Sequence, residues 1–147
     1  MYSKIIFILL FFNGLFYFGL SQKDKAIHNN IQISTTNNML IYHDGNGNKY
    51  TLLRNVLEYY PIKATESSSG RYDGGKAFKK TLNAIQHKKL LDLFKKLLTD
   101  KNGHTTKNIK PNCSIKLEDE EGNQTIMIKA TNKTNIEVLT FLKNINK

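Results

Sequence analysis

The chain has 147 residues, and Lys and Arg outnumber Asp and Glu 22 to 12, giving a formal net charge of +10 and a sequence pI near 9.6. That length builds one domain with a modest core and is short for two. Cys113 is the only cysteine, which excludes an intrachain disulfide, and Arg54 and Arg71 are the only arginines, which argues against a module that reads nucleic acid through bidentate guanidinium contacts.

Residues 1–21 have the form of a secretory signal peptide: a short positive start ending at Lys4, an apolar run Ile5–Leu20, and small residues Gly19 and Ser21 before a cut at Gln22. Asn13 and Gly14 interrupt the run, which falls short of the ~20 apolar residues needed to span a bilayer. The expected location is therefore outside the cytoplasm, periplasmic or extracellular. Residues 22–30 are polar and read as a loose mature N-terminus, and 31–147 read as a single α+β domain.

Within that domain, Ile31–Ile33 and Met39–Tyr42 are β-prone runs separated by Thr35, Thr36, Asn37 and Asn38, a turn composition. Asp44-Gly45-Asn46-Gly47-Asn48 breaks the chain sharply. A longer strand is expected from Tyr50 to Tyr60, ended by Pro61, and Tyr59 and Tyr60 on it must face opposite ways. A Ser- and Gly-rich loop runs from Thr65 to Gly75, followed by a strand over 77–82.

Asn83 with Gln86 has capping-box spacing and opens a helix to about Thr99. Its apolar stripe is Leu90, Leu91, Phe94, Leu97 and Leu98, with His87 near the centre, and Lys88, Lys89, Lys95 and Lys96 lie opposite. After Asn102-Gly103 and a basic connection, Cys113, Ile115 and Leu117, then Ile126 and Ile128, alternate with polar residues around a turn at Glu120–Asn123. That is a β-hairpin. Thr134 with Glu137 predicts the start of a second amphipathic helix over 135–146 carrying Val138, Leu139, Leu142 and Ile145 on one side. The sum is an antiparallel meander or sheet of about four to six strands with two amphipathic helices on one face.

Chemistry is best sought in the loop Glu66, Ser67, Ser68, Ser69, Gly70, Arg71, Tyr72, Asp73, Gly74, Gly75 and Lys76, whose amides, hydroxyls and two cations suit an anion nest. The same composition also makes a plain connection, with glycines for tight turns and serines bonded to their own backbone. Asp44–Asn48 spaces oxygens like the first half of a calcium loop, but Lys49 and Asn55 stand where a glycine and a bidentate carboxylate are needed, so a hairpin turn is expected. Glu118–Glu121 reads as a solvated hairpin tip, and Cys113 as a small buried hydrophobe.

The histidines are scattered, and neither a metal nor a cofactor is implied. The expected function is a non-enzymatic exported binding domain using the 66–76 loop toward an anionic envelope component or another exported protein. Two alternatives are a small hydrolase or transferase with a loop serine, for which no G-x-S-x-G spacing exists, and a polyanion binder using Lys88, Lys89, Lys95 and Lys96.

Overall fold

The computed structural model describes residues 38–107, 112–120 and 122–145. The expected signal peptide, the 22–30 tail and the Ile31–Ile33 run lie outside them. Among the described residues, six strands form one antiparallel sheet: β1 (Met39–His43), β2 (Lys49–Leu53), β3 (Val56–Tyr60), β4 (Phe78–Thr81), β5 (Asn112–Asp119) and β6 (Gly122–Lys129). Their spatial order is β4-β3-β2-β1-β5-β6, a four-strand meander with the β5–β6 hairpin returned to the free side of β1. Two α-helices among the described residues, α1 (Ala84–Thr99) and α2 (Lys133–Ile145), complete the α+β fold.

The stretch 50–60 is a hairpin where one strand was expected. Leu53 pairs with Val56, so Arg54 and Asn55 are the whole loop, and Arg54 adopts φ +54. Side-chain alternation gives the physical reason: Tyr50 and Leu52 are buried at even positions, whereas Leu57 and Tyr59 are buried at odd ones. A strand of period two cannot change phase without a turn.

The buried side of the sheet carries rows of like residues. Leu40, Leu52 and Leu57 stand opposite one another, and so do Tyr42, Tyr50, Tyr59 and Phe78. The aromatic row has ring centroids 6.1, 4.7 and 5.2 Å apart from strand to strand, and Phe94 of α1 closes on Tyr42 at 6.0 Å. Aromatic pairs at such spacing add to what burial alone contributes.

Asn83 caps α1 as expected: its side chain accepts from the Gln86 amide at 2.9 Å, and Gln86 Oε1 accepts from the Asn83 amide. The face α1 buries is Leu90, Leu93, Phe94, Leu97 and Leu98; Leu91 and His87 are half-buried. Leu93 was missing from the expected stripe because the contact is wide enough to take a residue on its flank.

Helix α2 differs at its start. Asn132, and not Thr134, accepts from the amide of Asn135 at 2.9 Å, and α2 begins at Lys133. Asn has the stronger N-cap preference, and Asn132 also donates to Asp100 Oδ2 at 2.8 Å, which fixes it in place.

The helices run in opposite directions across the covered face. Helix α1 leaves the β4 edge, and the chain beyond it reaches β6, where the Thr105 amide bonds Met127 O and His104 bridges Ile128. Helix α2 starts beside β6 and ends over β4, where Lys80 Nζ donates to Ile145 O at 2.5 Å. The sheet's other face is covered by neither helix. It displays Leu53, 45% exposed, and Tyr60, 44% exposed, beside the Lys79–Glu58 ion pair and Lys49, whose Nζ sits 4.3 Å from the Tyr60 ring centroid.

Candidate binding cleft

The β1–β2 turn is built by its own side chains. Asp44 Oδ1 accepts from the amides of Asn46 and Asn48, both at 2.9 Å, and Oδ2 accepts from Asn48 Nδ2 at 2.8 Å. Both carboxylate oxygens are therefore spent on donors of the turn, and the spacing that resembles a calcium loop makes a hairpin connection, as expected. No group of three His, Cys, Asp or Glu residues among the described ones is placed to hold a metal ion.

Asn48, 2% exposed, then ties this turn to the 62–76 loop. Its Oδ1 accepts from the Ile62 amide at 3.1 Å, and its Nδ2 also donates to Tyr72 Oη at 2.8 Å. Gly74 completes the clamp: its amide bonds Ile62 O at 3.1 Å and its carbonyl accepts from Tyr59 Oη at 2.6 Å. A Cβ on Gly74 would fall 2.2 Å from Asn48 Oδ1 and 2.8 Å from Pro61 Cβ, so only glycine fits this approach. Tyr59 is thus the end of the aromatic row and an anchor for the loop, and burial helps push its phenol up to about 12.

Within the loop, the serines serve the backbone. Ser67 Oγ and Ser69 Oγ are 3.0 Å apart, and Ser69 Oγ accepts from the amides of Arg71 and Tyr72. Glu66 Oε2 accepts from the Lys63 amide at 3.0 Å, Asp73 Oδ1 accepts from Gly75 at 2.7 Å, and Gly70 turns at φ +65. Among the described residues, no His, Asp, Glu or Lys side chain hydrogen-bonds any of the three serine hydroxyls.

Between the turn and the loop lies a cleft of about 520 Å³. The turn lines it from Asp44 to Gly47, the loop with Ile62, Glu66, Ser67, Ser68, Ser69 and Tyr72, and the open sheet face with His43, Asn112 and Met127. Five residues of the sequence-derived site thus share one wall. Gly70, Arg71, Asp73, Gly74, Gly75 and Lys76 do not line it, and Arg71, Asp73, Gly75 and Lys76 are exposed.

His43, Asn46, Ile62, Asn112 and Met127 were not legible as site residues, because strand pairing alone brings β5 and β6 beside the β1–β2 turn. Burial and the Lys49 ammonium hold the His43 imidazole below the usual histidine range, so it is neutral at pH 7.

The lysine face stands apart. Lys88, Lys89 and Lys96 are exposed on α1 and Lys95 is half-buried there, on the side of the sheet opposite His43 and Met127. Lys88 Nζ pairs with Asp92 at 2.9 Å. At the far hairpin tip Asp119 Oδ1 accepts from Gly122, and Cys113 is buried with its Sγ accepting from Asn135 Nδ2 at 3.2 Å.

No protein family, curated protein or solved structure matches the chain. Among the described residues, no helix is long and apolar enough to cross a membrane.

Proposed function

We propose that this chain is a non-enzymatic binding domain of an exported protein, and that it engages a component of the envelope or the extracellular space in the cleft between the β1–β2 turn and the 62–76 loop. One observation carries the reading: the cleft wall is held in advance by Asn48, Tyr59 and Gly74, so a ligand meets a formed surface and orders little on binding. Its volume of about 520 Å³ is in the range of small-molecule sites. The serine bonding supports binding over hydrolysis, since a nucleophilic hydroxyl needs a base in reach. Export rests on residues 1–21, and a mature chain starting at Gln22 is its expected outcome in N-terminal sequencing.

A polyanion reading keeps its own support in Lys89 and Lys96, which are exposed on α1 and have no ion-pair partner among the described residues. The two readings separate in an amide-resolved NMR titration with solubilised envelope fractions. Shifts at residues 43–47, 66–72, 112 and 127 that survive moderate salt support the cleft. Shifts along α1 that vanish with salt support the lysine face and count against the cleft.

A further inference from the structure

We infer that the cleft takes a neutral, polyhydroxylated ligand, a short stretch of glycan, an inference that rests on the cleft being the binding site. The lining chemistry carries it. On a chain of net charge +10, no Lys or Arg among the described residues lines the cleft, and the two charged side chains among them that do, Asp44 and Glu66, are acids. An anion would find no cationic side chain among those described to pair with in the lining.

Five lining residues keep polar groups that no described residue uses: the His43 imidazole, the Asn46 side-chain carboxamide, Glu66 Oε1, the Ser68 hydroxyl and Asn112 Oδ1. Together they offer acceptors and donors in mixed array. A sugar hydroxyl is itself both donor and acceptor, and the Asn46 carboxamide offers a paired donor and acceptor to vicinal hydroxyls. Tyr72, Ile62 and Met127 supply the apolar surface against which the C–H face of a sugar ring packs. His43 belongs to this set in its neutral form, one nitrogen donating and the other accepting.

A peptide ligand fits less well. Extended peptides bind by adding to a free strand edge, and β1, the strand that enters the cleft, is paired along both edges by β2 and β5.

The test uses the folded chain and an array of neutral oligosaccharides (glucans, mannans, galactans and N-acetylhexosamine oligomers) with their sulfated counterparts. Hits are followed by NMR titration. The expected result is binding to a neutral member that changes less than about twofold between low and moderate salt, because no counterions are released. It should weaken about tenfold or more in the Asn46→Ala/Glu66→Gln double variant and disappear in Ser68→Trp, which fills the mouth. Asn46, Glu66 and Ser68 are exposed, so unchanged thermal midpoints confirm that these variants fold.

Binding of sulfated members alone, lost in Ser68→Trp, would overturn the ligand class and leave the cleft standing. Sulfated binding that ignores Ser68→Trp, or no shift at cleft residues with any member, would overturn both.

Discussion

Asn48 is the residue on which the cleft's geometry depends, because its side chain meets Asp44, Tyr72 and the Ile62 amide at once while almost wholly buried. Replacing it with the isosteric acid tests that position without changing shape. In Asn48→Asp the donor at 2.8 Å from Asp44 Oδ2 becomes a second carboxylate, and two such charges cannot both ionise at that distance. We expect a loss of about 2–4 kcal/mol at neutral pH in urea unfolding, shrinking as the solution is acidified and one carboxyl takes a proton. A loss that does not change with pH would place the defect in Tyr72 and Ile62 instead. His43 gives the opposite test of charge in the cleft. Its folded-state pKa is depressed by burial and Lys49, so the unfolded chain binds the proton more readily. The contribution is fully present above the ordinary histidine pKa and is lost as pH falls through the folded value, and His43→Gln should flatten that part of the stability–pH curve. Of these residues the turn's Asp and Asn content was legible in the sequence. The role of Asn48 was not, since its partners lie 14 and 24 positions away.

Among the elements, the β2–β3 hairpin shows how a phase change in the burial pattern marks a turn that composition conceals. Tyr50 to Tyr60 contains neither Gly nor Pro, and the usual punctuation is missing. Arg54 takes φ +54 in its place, a conformation that costs a residue with a Cβ about 1–2 kcal/mol. Arg54→Gly should therefore raise stability by about 0.5–1 kcal/mol, after the greater flexibility of Gly in the unfolded chain is set against the relieved strain. A decrease in the urea midpoint would mean that the Arg54 side chain contributes more than its backbone costs. The helices were the most legible elements, because caps and a period of 3.6 are local signals: Asn83 and Gln86 marked α1 to the residue. The error at α2, Thr134 for Asn132, arose because both residues are good caps and only Asp100, distant in sequence, decides between them.

At the scale of the molecule, two apolar helix stripes on one antiparallel face, the packing the sequence implied, leave the other face and the cleft to solvent. What sequence patterning could not supply is the polar link between the two layers. Tyr42 Oη donates to Asn135 Oδ1 at 2.7 Å, and Asn135 Nδ2 donates to Cys113 Sγ and to Ala130 O, all beneath α2. Asn135 is 0% exposed, at a helix position whose neighbours on that face, Val138 and Leu142, are apolar. A fully bonded buried group of this kind favours one seating of α2 over sliding along its stripe, because any shift strands a hydroxyl or an amide in the core. A double-mutant cycle tests the coupling. Tyr42→Phe should cost about 1–3 kcal/mol by stranding the Asn135 oxygen, and Asn135→Ala should cost more, through the stranded hydroxyl and the lost packing. The double variant should lose less than the sum by about 0.5–3 kcal/mol, because the second change removes a partner already orphaned. Strict additivity in that cycle would show that α2 is held by its apolar stripe alone, and amide exchange along α2 in Tyr42→Phe would then match the parent.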